Sequence, residues 1–183
     1  MVAQLLKQTR ISHKLLVISF SFLLPIAVLL YFMVAGTNYD IRFTRLEEYG
    51  NEYQRPLEEL LRHIPQHEFL ATRLRSGETD VESRLLSEQS DIDQALQQLK
   101  SVDALRGQDL QFTEEGLGKR QRSTANPQDL STAWDRLKSE VSSLSPAAIT
   151  SRHRKLRDTV RAMISHAGDT SNLILDPDLD SYT

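Results

Sequence analysis

LLVISFSFLLPIAVLLYFMVA, Leu15 to Ala35, is the stretch on which the reading of this chain turns. Its 21 residues carry no charge, and the uncharged run extends to Tyr39. As a helix it spans about 31 Å at 1.5 Å per residue, enough to cross a hydrocarbon layer of about 30 Å. In a water-soluble fold, a helix that is apolar all round needs cover on every side. The remaining chain is too polar and too small to provide it, so a transmembrane helix is expected. The alternative is a cleaved signal peptide, which needs a shorter apolar core and a small-x-small site after it; Val34-Ala35-Gly36 matches that site weakly. Pro25 lies mid-span, where its missing backbone donor can kink a helix.

The charges on either side of this run set its direction. Lys7, Arg10 and Lys14 precede it with no acid among them, whereas Asp40, Arg42, Arg45, Glu47 and Glu48 mix both signs after it. The positive-inside rule then places residues 1–14 in the cytoplasm, 15–36 in the membrane and 37–183 outside. In a Gram-negative cell that means an inner-membrane protein whose bulk is periplasmic. The whole chain carries 22 basic and 25 acidic residues; with the three N-terminal cations set aside, 19 face 25, a balance of −6. This argues against nucleic acid as a partner. No cysteine is present, which excludes disulfide frameworks, Cys-ligated zinc, iron–sulfur clusters and thiol catalysis.

Beyond the span no segment alternates with period two, and an all-α fold is expected. A first external stripe, Leu46, Tyr49, Tyr53, Leu57, Leu60 and Ile64, continues from the membrane helix, with a kink or break predicted at Pro56 and Pro65. A second follows the turn Arg75-Ser76-Gly77. Thr79 and Glu82 make a capping box, and Leu85, Ile92, Leu96, Leu99 and Val102 form its stripe. Gly107 to Asn126 is the most polar stretch and reads as a loop with at most a helical turn. The third helix starts at Asn126-Pro127 with the seam Leu130, Trp134, Leu137, Val141 and Leu144. Ser145-Pro146 starts the fourth, which carries Ile149, Leu156, Val160, Met163, Ala167 and Ile174 and stops before Pro177. Each stripe is one-sided, so the expected architecture is an antiparallel four-helix-type bundle that continues from the membrane helix, with these positions, Trp134 included, as its core.

Catalytic signals are poor: there is no phosphate loop and no nucleophile pattern, and neither enzymatic activity, nor a cofactor, nor a metal is expected. His63 and His67 lie four apart with Glu68 beside them, a spacing that can hold a metal on one helix face. Pro65 between them is expected to spoil it, leaving two surface histidines near a helix end. Asp176, Asp178 and Asp180 alternate like the start of a calcium loop, but Ser181 stands where that loop needs glycine, and a turn with an Asp cap is the simpler reading. The strongest candidate is the basic run Arg152, His153, Arg154, Lys155, Arg157 and Arg161. Arg154, Arg157 and Arg161 fall on one helical face, and aligned guanidinium groups suit carboxylates and other small anions. The alternative is a solvated face paired with acids of a neighbouring helix or another subunit.

Two runs carry a resemblance. Phe43-x-x-Leu46-Glu47-x-x-Gly50-Asn51-x-Tyr53-x-Arg55-Pro56-Leu57, and Gly168-Asp169-Thr170-Ser171-Asn172-Leu173-Ile174-Leu175-Asp176-Pro177-Asp178-Leu179-Asp180-Ser181-Tyr182, resemble the sensory regions of methyl-accepting chemotaxis proteins and of membrane sensor histidine kinases of Gram-negative bacteria. The resemblance implies a homodimeric receptor that senses a small molecule, or a periplasmic binding protein, and passes the signal across the membrane. It also implies a second membrane helix, a HAMP linker and a cytoplasmic module, so residues 37–183 are expected to be a truncated sensor region and the chain a fragment or a truncated gene product. The same sensory front can precede a kinase or a cyclic-dinucleotide enzyme. A membrane-anchored scaffold without ligand is the remaining alternative.

Overall fold

The computed structural model describes residues 11–173, and among them every regular element is helical. The chain divides into two units between Thr44 and Arg45. The first belongs to helix α1, Ile11–Arg75, which is 65 residues long. Pro25 is accommodated within this helix. Its most apolar window has a mean hydropathy of 2.5, and bulky side chains such as Phe20, Phe22, Leu29 and Phe32 are more than half exposed. The helix is thus long and apolar enough to cross a membrane, and among the described residues nothing in its own unit covers it.

The second unit begins with the later part of α1. That helix ends where Gly77 takes φ +98°, with Gly77 N–H donating to Leu74 O and Glu78 N–H to Arg73 O. This paired closure satisfies carbonyls that the helix end would otherwise orphan. A short 3₁₀ turn, Thr79–Val81, leads into α2, Glu82–Arg106. Then come α3, Glu114–Lys119; α4, Pro127–Glu140; and α5, Pro146–Thr170. Asn126 accepts from Gln128 and Asp129 N–H, and Ser145 from Ala148 N–H, so both predicted Pro-led starts are made as the sequence specifies.

The apolar stripes converge on one core. α1 supplies Tyr53, Leu57, Leu60 and Ile64; α2 supplies Ile92, Leu96 and Leu99; α4 supplies Leu130, Trp134 and Leu137; α5 supplies Leu156, Val160, Met163 and Ala167. Polar pairs fix the direction of neighbours. Tyr53 meets Asp103 at 2.7 Å while His63 meets Glu88 at 2.8 Å, so α1 and α2 run antiparallel. A smaller cluster of Leu70, Ala71, Val81, Leu85 and Ile149 closes the end near the α1–α2 turn.

Four expectations are corrected. α1 is not broken at Pro56 or Pro65. Proline in a helix interior costs about 3 kcal/mol. At Pro56 the buried ring sits between core residues Tyr53, Leu57 and Leu60, whose burial offsets that loss. Thr79 and Glu82 form no capping box: Val81 occupies the N-cap of α2 without a side-chain bond. Burying Val81 is worth about 1.5–3 kcal/mol against about 1 kcal/mol for a cap. The polar loop contributes to the core through Leu110, Phe112, Leu117 and Ala125. Burial of Leu110 and Phe112 on either side holds Gln111 at φ 58°, a left-handed conformation. Finally, α4 stops at Glu140, short of Val141 and Leu144, and α5 stops at Thr170, with Asn172 at φ 64°. Ile174 and Pro177 lie outside the described residues.

Gly50 is a position where packing overrules helix propensity. A Cβ there would collide with the Cβ and Oγ of Ser171, whereas one at Gly118 meets nothing within 4 Å. Gly50→Ala should therefore destabilise the second unit by about 1–3 kcal/mol, although Ala gains about 1 kcal/mol of propensity. Gly118→Ala should be neutral or stabilising. Urea unfolding of both variants, followed by helical circular dichroism, checks the opposite signs.

Candidate functional site

The three arginines of the predicted basic strip, Arg154, Arg157 and Arg161, stand in different surroundings. Arg157 lies half-buried on α5 and pairs with Glu68 of α1, which is also half-buried. Arg161 pairs with Asp158 one turn away at 3.4 Å, in solvent. Arg154 is exposed on α5. The neighbours of these three arginines do the gathering instead. Between α4 and α5 lies a groove of about 540 Å³, lined from α4 by Asp129, Ala133 and Arg136 and from α5 by Arg152, Lys155, Leu156 and Thr159, with Ser123 and Thr124 at its end. The spacing is i, i+4, i+7 on α4 and i, i+3, i+4, i+7 on α5, so each helix turns one face into the groove.

Its chemistry is mixed in a useful way. Leu156 and Ala133 give an apolar floor. Arg136, Arg152 and Lys155 supply three cations against one groove acid, Asp129, while Glu140 outside the lining pairs with Arg152 at 2.5 Å. Ser123, Thr124 and Thr159 offer hydroxyls. A small organic anion finds here paired donors for its charge and a surface for its carbon skeleton. Arg136 escaped the sequence reading because only Lys138 accompanies it, too little to read as a basic run. The signal that finds it is the matching of Asp129-Ala133-Arg136 to the 152–159 face opposite.

The side chains of His63, His67 and Glu68 go to three different partners. His63 faces α2 and meets Glu88, Glu68 goes to Arg157, and His67 turns into the core, fully buried rather than at the surface. There His67 Nδ1 lies 2.7 Å from His153 Nε2. His153 Nδ1 lies 2.7 Å from the carbonyl of Ile149, which can only accept, so His153 carries its proton on Nδ1 and its Nε2 is an acceptor. His67 then donates from Nδ1, and its bare Nε2 accepts from the Gln89 amide at 3.2 Å. The chain Gln89 → His67 → His153 → Ile149 is satisfied throughout when both rings are neutral. The edge of Trp134 packs on His67 with centroids 4.9 Å apart, and its indole N–H donates to Asp93 at 2.7 Å. Burial, and then the proximity of His153, push His67 down to about 3; burial likewise lowers His153.

A third buried ring, His166, donates from Nε2 to the carbonyls of Leu110 and Gln111 at 3.1 Å, which pins the loop to α5. Burial lowers its pKa as well. Asp176, Asp178 and Asp180 lie outside the described residues. Set against models of protein families, curated proteins and solved structures, the chain matches none.

The buried pair has a pH consequence whose sign is fixed. Unfolded histidines titrate near 6.5, so between pH 6.5 and about 3 the unfolded chain binds protons that folded His67 refuses. Stability is complete above the unfolded value and falls as the pH drops through that window, by up to about 1.4 kcal/mol per unit for each such histidine. His67→Gln should be less stable than the parent at pH 7.5 but lose less between pH 7 and 5. Urea unfolding read by the fluorescence of Trp134, the single tryptophan, measures both slopes.

Proposed function

We propose that this chain is the membrane-anchored sensory part of a bacterial receptor of the chemotaxis type. Leu15–Ala35 spans the inner membrane with the N-terminus inside, and the external helices form an up-down-up-down four-helix bundle in the periplasm. The observation that carries this reading is that a single helix, Ile11–Arg75, holds both an apolar segment of membrane length and the first wall of the external core. The charge balance across the span and the two sequence runs quoted above support the orientation and the receptor class.

The ligand is a small organic anion, bound in the α4–α5 groove by Arg136, Arg152 and Lys155. A ligand shifts the packing only by binding one arrangement better than another. Here the cations lie on two different helices, so an anion bridging them favours the arrangement that brings α4 and α5 together. Arg157, on the same helix, is tied to Glu68 of α1, so a movement of α5 is transmitted to the helix that leads to the membrane. Helix displacements of about 1–2 Å are enough for such switches, and a symmetric dimer is the natural unit for passing them on.

Two measurements test the reading. For the full chain in detergent micelles, dicarboxylates and acidic amino acids are screened by thermal shift. A ligand at one hundred times its Kd should raise Tm by roughly 5–10 °C. The shift should vanish in Arg136→Ala/Lys155→Ala and persist in Arg154→Ala. A shift indifferent to the double change, or none with any organic anion, removes the groove from the proposal. A C-terminal reporter enzyme that is active only outside the cytoplasm should be active; a cytosolic C-terminus defeats the receptor reading.

A further inference from the structure

The face between α1 and α2 carries a second constellation, independent of the groove. His63 Nδ1 lies 2.8 Å from Glu88 Oε2 and 3.9 Å from Asp91 Oδ2, and the three donor atoms all fall within 4.8 Å of one another. Glu88 and Asp91 are i, i+3 on α2, so they present their carboxylates to the same point. On the other side of the ring, His63 Nε2 lies 3.5 Å from Glu59, one turn earlier on α1. All three donor side chains are partly buried. A cavity of about 290 Å³ opens beside them, lined among others by Glu59, His63, Asp91, Gln94 and Gln98.

We infer that His63, Glu88 and Asp91 form a binding site for a divalent first-row transition ion of the Zn²⁺ class, with Glu59 as the residue that orients the imidazole. Bonds of about 2.0–2.2 Å to a tetrahedral ion place donor atoms about 3.4 Å apart. The observed 2.8 and 3.9 Å bracket that separation, so ordinary rotamer adjustment closes the site. Two carboxylates and a neutral imidazole balance the double charge. They leave a fourth position facing the cavity, where water or the amide oxygen of Gln94 or Gln98 completes the set.

The proton accounting is also consistent. Next to the Glu88 carboxylate, His63 holds its proton on Nδ1. Binding through Nδ1 moves that proton to Nε2, where Glu59 accepts it, in the carboxylate–histidine–metal arrangement that fixes tautomer and ring plane. Among the described residues, His63 is the one ion-pair partner of Glu88 and of Asp91, while Glu59 also meets Arg62 at 3.1 Å. The α2 carboxylates therefore carry charge that no lysine or arginine offsets there, and a cation removes their mutual repulsion. An imidazole in the donor set favours transition ions over Mg²⁺ and Ca²⁺, which prefer oxygen alone. Once bound, the ion joins α1 to α2.

The test uses the full chain without a histidine tag, in detergent micelles and stripped with EDTA. Titration with Co²⁺ should give visible absorption bands that Zn²⁺ abolishes and that millimolar Mg²⁺ or Ca²⁺ leaves intact. Calorimetry with Zn²⁺ should give one site, weakened at least about tenfold by Glu88→Gln or Asp91→Asn and about tenfold by Glu59→Gln. On the unaltered chain, Zn²⁺ should protect His63 from acylation by diethylpyrocarbonate, read by mass spectrometry, a measurement that holds even where a variant misfolds. Unchanged Zn²⁺ affinity in Glu88→Gln/Asp91→Asn with helical content intact, no protection at His63, or no binding tighter than about 100 μM overturns the site.

Discussion

A polar group carried into a helical core must find its partner there, because water can no longer serve it. His67 and His153 impose that condition at the centre of the second unit. Each ring has two nitrogens, and the 2.7 Å bond between the rings is satisfied only if Gln89 and the carbonyl of Ile149 stand at the two ends. Three helices meet in that chain of bonds. Sliding α1 against α5 by one turn, about 5.4 Å, leaves apolar residues on apolar residues but strands His67 Nδ1 and His153 Nε2. The leucines and valines make the helices associate; the histidines select one register among those the leucines tolerate.

The same bonds bear on the proposed sensing. A displacement of about 1–2 Å, the scale at which packed helices switch, exceeds what a 2.7 Å hydrogen bond absorbs. A receptor built on this unit therefore has to exchange partners at the histidines when it moves, and the ligand has to supply the difference. The proposed anion groove is well placed for it: Arg152 and Lys155 flank His153 on α5, so the helix that supplies two of the groove's cations also carries one end of the relay. The proposed ion site takes its residues from α1 and α2 and none from α4 or α5, which separates the two influences.

Much of this was legible in particular residues. Asn126-Pro127 and Ser145-Pro146 announced two helix starts, because a side-chain oxygen followed by a proline solves the orphan-donor problem locally. The seam around Trp134 and the stripe around Val160 were readable because 3.6 residues per turn is a property of the chain itself. Local rules misled where a distant contact outweighed them. Val81 took the cap position from Thr79 because the small cluster buries it, and Pro56 stayed helical because the core holds its turn. The polar stretch Gly107–Asn126 concealed Leu110 and Phe112, since isolated apolar residues in a loop have no period to betray them.

By itself, then, the sequence determined the helical character, the membrane-length apolar segment, and the inward face of each helix, all of which follow from the order of neighbouring residues. What only the tertiary structure decided was which charged or polar side chain meets which. Arg157 finds Glu68 across 89 positions, and His67 finds His153 across 86. Periodicity tells which side of a helix turns inward, but not which helix stands opposite or at what height. That pairing emerges only when one-sided surfaces pack and their few polar groups have to be satisfied together. For that reason the cations of the groove came from two helices: Arg152 and Lys155 from the basic run that the sequence displayed, and Arg136 from the helix opposite.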